Sequence, residues 1–139
     1  MKTHKVSKKH IEALQNCIIK SEKAIDACQV LITMCSVRSY EECGEQVGRA
    51  VKACNANIES CEICIELCTE HLEICNDAAC KKACKNTIKA CQDCISACKD
   101  VMIECKENDI ECVDAATECI DACQTCADEC QDNIYALKE

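Results

Sequence analysis

The sequence predicts an all-α protein, an antiparallel up-down-up-down four-helix bundle with a cysteine-lined core. Three observations predict it. Helix breakers are almost missing, capping signals cut the chain into four segments of similar length, and the cysteines fall on one stripe of each segment. The chain has no proline and only two glycines, Gly44 and Gly48, so helix-forming residues run on without interruption. Boundaries therefore come from caps. Ser39 followed by Glu42 reads as a capping box, Asn108 followed by Glu111 as a looser one, and Asn76-Asp77 as an N-cap after a long periodic run. The expected helices are about 6–37, 40–75, 78–106 and 109–137, within a single domain spanning 1–139. Each is ~30 residues, or about 45 Å of helix. Connections this short make sequential helices antiparallel neighbours. Gly44 and Gly48 are expected to fray or bend the start of the second helix.

The cysteine register is the stronger signal. Cys54, Cys61, Cys64, Cys68 and Cys75 recur, spacing for spacing, as Cys84, Cys91, Cys94, Cys98 and Cys105. The fourth segment repeats the central CxxCxxxC as Cys123, Cys126 and Cys130, preceded by Cys112 and Cys119. With each CxxC pair set to heptad positions a and d, every cysteine of helices two to four lies at a or d, the outlying Cys43 and Cys80 included. The first helix does the same, with Cys17 at d and Cys28 and Cys35 at a. Random placement would put about two in seven there.

The flanking positions sort as well. Position e carries Ile18, Ile25 and Ile32, then Val51, Ile58, Ile65 and Leu72, then Ile88, Ile95 and Met102, and finally Val113, Ile120, Ala127 and Ile134. Position g is often alanine, as at Ala27, Ala53, Ala83, Ala90, Ala97, Ala115, Ala122 and Ala136. Branched side chains packing on small ones make close helix–helix seams. Lys85, Lys89, Asp93 and Lys99 fall on the remaining, solvent-facing side. The cysteines are left pointing down the bundle axis.

Composition fits this picture. Leu, Ile and Val make up less than about a fifth of the chain, a level that elsewhere hints at disorder. The 20 cysteines replace them, because a free cysteine behaves as a small, readily buried apolar residue. Disulfide scaffolds belong to oxidising compartments and arrive there through a signal sequence. The N-terminus is basic but has no apolar core region or cleavage site, and no apolar run is long enough to span a bilayer. A cytoplasmic protein with reduced thiols is the expectation, with no membrane contact. The formal charge of −9 argues against nucleic acid, whose binding needs a basic face.

Cysteines at i, i+3 and i+4 on one helix lie close enough for two sulfurs to share a metal, and they also reach neighbouring helices. Soft thiolates select soft metals, and copper(I) is the softest abundant candidate. If each thiolate bridges two ions, capacity approaches one copper per sulfur, and each copper cancels one buried negative charge. Multiple copper(I) ions are thus the expected cargo, on all twenty cysteines. A single buried cysteine is usually inert packing; twenty on one face are not. Cys43 and Cys80 read either as packing or as ligands at the ends.

His71 continues the stripe at d between Cys68 and Cys75, and His10 occupies d in helix one. Antiparallel topology brings both to one end, near Cys17, Cys75, Cys80 and Cys130. There they read either as transient copper ligands or as partly solvated end residues. Met34 and Met102 fall toward the opposite end, as soft ligands or core filler. His4 belongs to the chain terminus.

Zinc is the alternative metal, in about five closed four-sulfur sites or as a general soft-metal buffer of metallothionein-like role. Its sites usually draw ligands from turns, whereas every CxxC here is mid-helix. Iron–sulfur clusters also favour loop-borne cysteines. A thiol redox enzyme needs one exposed, activated CxxC, and a di-iron enzyme needs inward Glu-x-x-His pairs, which this sequence lacks. A third reading is a bundle stapled throughout by disulfides. No catalysis is expected.

Cys61/Cys64/Cys68, Cys91/Cys94/Cys98 and Cys123/Cys126/Cys130, on four helices without a catalytic motif, make the chain resemble the bacterial four-helix-bundle copper-storage proteins. The resemblance covers about residues 10–132, and the missing leader resembles that family's cytosolic branch. It implies copper(I) held by cysteine pairs along the bundle, an open end bearing His or Met, and often a homotetramer. The partners it implies are copper ions and a copper chaperone or low-molecular-weight copper ligand that delivers them.

Overall fold

The computed structural model describes residues 3–37, 43–106 and 111–138. They form four helices: α1 (Thr3–Val37), α2 (Gly44–Ile74), α3 (Ala78–Lys106) and α4 (Glu111–Lys138). The third begins where the sequence places it. The Asp77 side chain accepts the Ala79 N–H at 3.1 Å, and its carbonyl accepts the Lys81 N–H at 2.9 Å, so Asp77 is the N-cap. Just before it, Cys75 turns to an extended conformation and ends α2, its N–H still bonded to the His71 carbonyl. Ser39, Glu42 and Asn108, read as capping residues, lie outside the described residues. The second helix is described from Gly44, the expected start at about residue 40 lying outside the described residues, and Gly48 sits inside it.

Each helix packs on two neighbours, α1 on α2 and α4, and α3 on α2 and α4, so the four close into a ring. Across the diagonal the backbones stay apart among the described residues, but axial side chains meet, as Asn57 and Cys61 of α2 reach Cys123 and Cys126 of α4. Contacts run in opposite directions on adjacent helices. His10, Cys17 and Ser21 of α1 meet Cys68, Cys61 and Asn57 of α2. Cys84, Cys91, Cys94 and Cys98 of α3 meet Asn133, Cys126, Cys123 and Cys119 of α4. Every step along one helix is matched by an equal step back along its partner. The bundle is up-down-up-down in a fixed register.

The seams follow the heptad. Ile25, Ile58, Ala127 and Ile134 at e are buried, as are Ala90 and Ala115 at g, and most of the others named at e and g are half-buried. Ile–Ala packing brings the helices close while the a and d positions stay free to fill the middle. There the core is mostly sulfur: 19 of the 20 cysteines are buried. Surface charge lies outside, as in the Lys89–Asp93 and Glu45–Arg49 pairs one turn apart. No helix among the described residues is long and apolar enough to cross a membrane.

Gly48 is a weak point in this scaffold. It is exposed on α2, and a Cβ added there meets no atom within 4 Å. The Gly48→Ala variant is expected to gain about 1 kcal/mol of stability. Urea unfolding of the reduced, metal-free protein reads this directly; a lower midpoint in the variant would mean the residue is not held in an ordinary helical conformation.

Candidate metal centre

The sulfurs meet along the axis because each helix delivers its a and d stripe to the same line. One layer takes a thiol from every helix: Cys17, Cys61, Cys91 and Cys126 lie mutually within 4.8 Å. In it Cys126 is 3.6 Å from Cys91, 3.7 Å from Cys17 and 3.8 Å from Cys61. A second quartet, Cys17, Cys64, Cys91 and Cys130, shares two of those members. Beyond it, toward the α1 C-terminus, Cys94–Cys123, Cys123–Cys119 and Cys119–Cys98 follow at 3.5, 3.7 and 3.7 Å. Cys28, Cys54 and Cys119 form a further group. Sulfur after sulfur stands at contact distance, and the sets overlap.

At the other end stand the histidines. His10 joins Cys68 and Cys84 in one cluster, and His71 joins Cys75 and Cys80 in another. The His10 Nε2 lies 3.2 Å from Cys68 Sγ and the His71 Nε2 3.1 Å from Cys80 Sγ, with the ring centroids 5.5 Å apart. Both imidazoles are only 1 % exposed, so they are not solvated end residues. Each keeps a buried Nδ1 without a hydrogen-bond partner, a vacancy that a buried polar atom rarely tolerates. Burial, then the neighbouring His71, holds the pKa of His10 down to about 4. Burial lowers His71 too. The rings are neutral near pH 7, the form that ligates metals.

Thiol acidity divides along the lane. Cys17 is pulled down by S–H donation from Cys126, and Cys94 and Cys119 by donation from Cys123. Cys61, Cys91 and Cys130 are pushed up, first by their interaction with Cys126. Cys98 and Cys123 are pushed up first by Cys119. A few thiolates can be held by the thiols around them; the rest resist ionising until a cation enters.

Sequence reading missed the polar members of the stripe. Asn57 donates to Cys94 at 3.2 Å and to Cys123 at 3.4 Å, while its carbonyl oxygen accepts from Ser21 and Ser60. Asn133 donates to Cys68 at 3.3 Å and to Thr87 at 2.9 Å, and its oxygen accepts from Cys84. Amide donors aimed at sulfur favour thiolate over thiol. The signal was present: Asn57, Thr87 and Asn133 occupy d and Ser21 occupies a in the cysteine register.

Four of the expected ligands do not join the lane. Cys105 and Cys112 are bonded to each other in a disulfide, because the α3–α4 register sets them face to face at the bundle's end. Between that end and the lane lies a hydrocarbon layer. The next inward residues after Cys28, Cys54, Cys98 and Cys119 are Leu31, Ala50, Val101 and Ala116, all with no exposure. Cys35 and Cys43 lie past this layer as well. The other eighteen cysteines are free thiols, so the bundle is not stapled throughout. Met102 packs against the core from its e position, and Met34 is half-buried. The His4 side chain lies outside the described residues.

The arrangement defines a class: a four-helix bundle with several buried Cys and Cys/His clusters able to hold metal ions. No protein-family description, curated protein or solved structure matches the chain.

The histidine end sets a pH dependence. The unfolded chain protonates His10 near 6.5, the folded chain only near about 4. A depressed folded value on a base means the folded state binds fewer protons in that window. Stability is complete above 6.5 and declines as pH falls toward 4, by about 3 kcal/mol from His10 alone. Urea midpoints of the reduced, metal-free protein are expected to drop between about pH 7 and about pH 5, with a shallower drop in His10→Gln/His71→Gln. Equal slopes in the two proteins would remove the histidines as the cause.

Proposed function

We propose that this chain binds multiple copper(I) ions on its axial thiolates and stores them, for later use or for detoxification. One observation carries the reading: Cys17 and Cys91 belong to two four-sulfur sets at once. A sulfur that serves two sets is a bridging ligand, and bridging thiolates suit a soft ion of low coordination number. Charge supports it further, since each Cu⁺ neutralises one thiolate in a space where bare anions are prohibitive. The sixteen cysteines outside the Cys35, Cys43, Cys105 and Cys112 end are the ligands, joined at the entrance by His10 and His71.

The reading is of a binding protein, supported by a lane whose buried groups are thiols, imidazoles, amides and hydroxyls. Reduced thiols fit a cytoplasmic setting, with a copper chaperone or small copper ligand as donor. Membership in the bacterial four-helix-bundle copper-storage family, and assembly as a tetramer, belong to the same proposal.

Zinc is the second reading, favoured by a specific distance. A tetrahedral zinc with bonds of about 2.3 Å has sulfur–sulfur edges of roughly 3.8 Å. Contacts of 3.6–3.8 Å in the Cys17, Cys61, Cys91 and Cys126 layer match it.

Anaerobic titration with copper(I) against a competing chelator separates the two. Bridged storage predicts saturation above about ten ions per chain, and closed four-sulfur sites about four. A plateau at the lower figure would replace storage by a small set of discrete sites. Loading kinetics test the entrance. His10→Ala/His71→Ala is expected to load severalfold more slowly with the same final capacity, and an unchanged rate would strip both imidazoles of that role.

A further inference from the structure

The end of the bundle opposite the histidines carries four cysteines that the metal lane does not use. The layer of Leu31, Ala50, Val101 and Ala116 contributes one apolar side chain from each helix and leaves no ligand atom. Cys28 and Cys35 are two helical turns apart, about 10 Å of rise, and so are Cys98 and Cys105. That span is far beyond the reach of one ion shared between two sulfurs.

Register makes these four into two equivalent pairs. On α3 and α4, the steps that oppose Cys91 to Cys126 and Cys98 to Cys119 go on to oppose Cys105 to Cys112, which are bonded. On α1 and α2, the steps that oppose His10 to Cys68, Cys17 to Cys61 and Ser21 to Asn57 go on to oppose Cys35 to Cys43. Each pair spans a helix connection at the same end of the bundle. The two thiols of the second pair sense each other: the pKa of Cys35 is pushed up to about 11, first by burial and then by Cys43. Cys35 is also the one free cysteine that is not buried.

We propose that Cys35 and Cys43 are a thiol redox site, closing a second interhelical disulfide by exchange with a small-molecule disulfide and matching Cys105–Cys112. The Cys35 thiolate attacks one sulfur of the reagent, breaking its S–S bond and releasing one thiolate, which takes up the proton Cys35 gave up. Cys43 then attacks the mixed disulfide, forms the Cys35–Cys43 bond and releases the second thiol. Two protein thiols are oxidised by two electrons, and one disulfide is reduced to two thiols. The result is a clasp on both helix connections at one end, insulated by hydrocarbon from the sulfurs of the lane. Oxidant is consumed at the clasp while the metal ligands stay reduced.

The test uses the full chain, reduced and metal-free, treated with two equivalents of glutathione disulfide at mildly alkaline pH, then alkylated and digested with trypsin. Cleavage after Arg38 and after Lys106 separates the members of each pair. Linked peptides joining Cys35 to Cys43 and Cys105 to Cys112 are expected, with the lane cysteines alkylated. Glutathione trapped on Cys35, or disulfides within the lane at comparable yield, would overturn the proposal. Copper(I) capacity supplies the second readout. The Cys35→Ser/Cys43→Ser variant is expected to bind as many ions as the parent, and a loss of two would return these residues to the lane. Failure of the parent to take up copper would strike the storage reading alone, since peptide mapping needs no metal.

Discussion

Thiols packed along the axis of a bundle cannot all ionise without a counter-charge, and the rest of the structure answers to that constraint. Neutral, they behave as small apolar side chains and fill the space between four helices. Ionised, they would place a column of negative charge in a medium that solvates it poorly. The shifts divide accordingly, with Cys17, Cys94 and Cys119 lowered by neighbouring donors while Cys61, Cys98 and Cys123, donating to neighbouring sulfurs, are raised. In the proposed storage role, a monovalent soft cation would resolve the conflict one thiolate at a time. Metal uptake is therefore coupled to proton release and to the stability of the bundle.

Stability without metal has to come from elsewhere, and the seams supply it. Isoleucines at e and alanines at g join neighbouring helices and add to the packing of the neutral thiols along the axis. The buried amides add fixed donors to the lane. Asn57 donates to Cys94 and Cys123, and Asn133 donates to Cys68; each amide favours the thiolate, but only Cys94 is lowered, while Cys123 and Cys68 stay raised by the thiols beside them. The two ends then differ in kind. One presents imidazoles with an unpaired nitrogen each, and the other is sealed by Leu31, Ala50, Val101 and Ala116.

Much of this was legible in the sequence, for a physical reason. A strict heptad of cysteines fixes which face of each helix points inward, and the Ile and Ala positions beside it fix the seams. The α2–α3 boundary was readable because Asp77 caps through its own side chain, a local interaction. At Gly44 no such signal exists, since Cys43 makes no side-chain cap there. The fate of Cys105 and Cys112 also escaped. Spacing alone places them on the stripe, but only the antiparallel register across α3 and α4 shows them face to face. Asn57 and Asn133 share the heptad of the cysteines, but an amide on such a stripe carries no chemical signal of its own until its sulfur partners are known. Burial of His10 and His71 depended on packing between helices that neither histidine's own segment reveals.

Sulfur sharing between adjacent ions is the heart of the account, and X-ray absorption at the copper K-edge of the loaded protein measures it most directly. Predicted are a first shell dominated by sulfur, two or three atoms per copper with at most a small imidazole share from the entrance, and a resolved copper–copper distance from bridged neighbours. A shell of four sulfurs with no metal neighbour would contradict it, because the ions would then sit in separate closed cages.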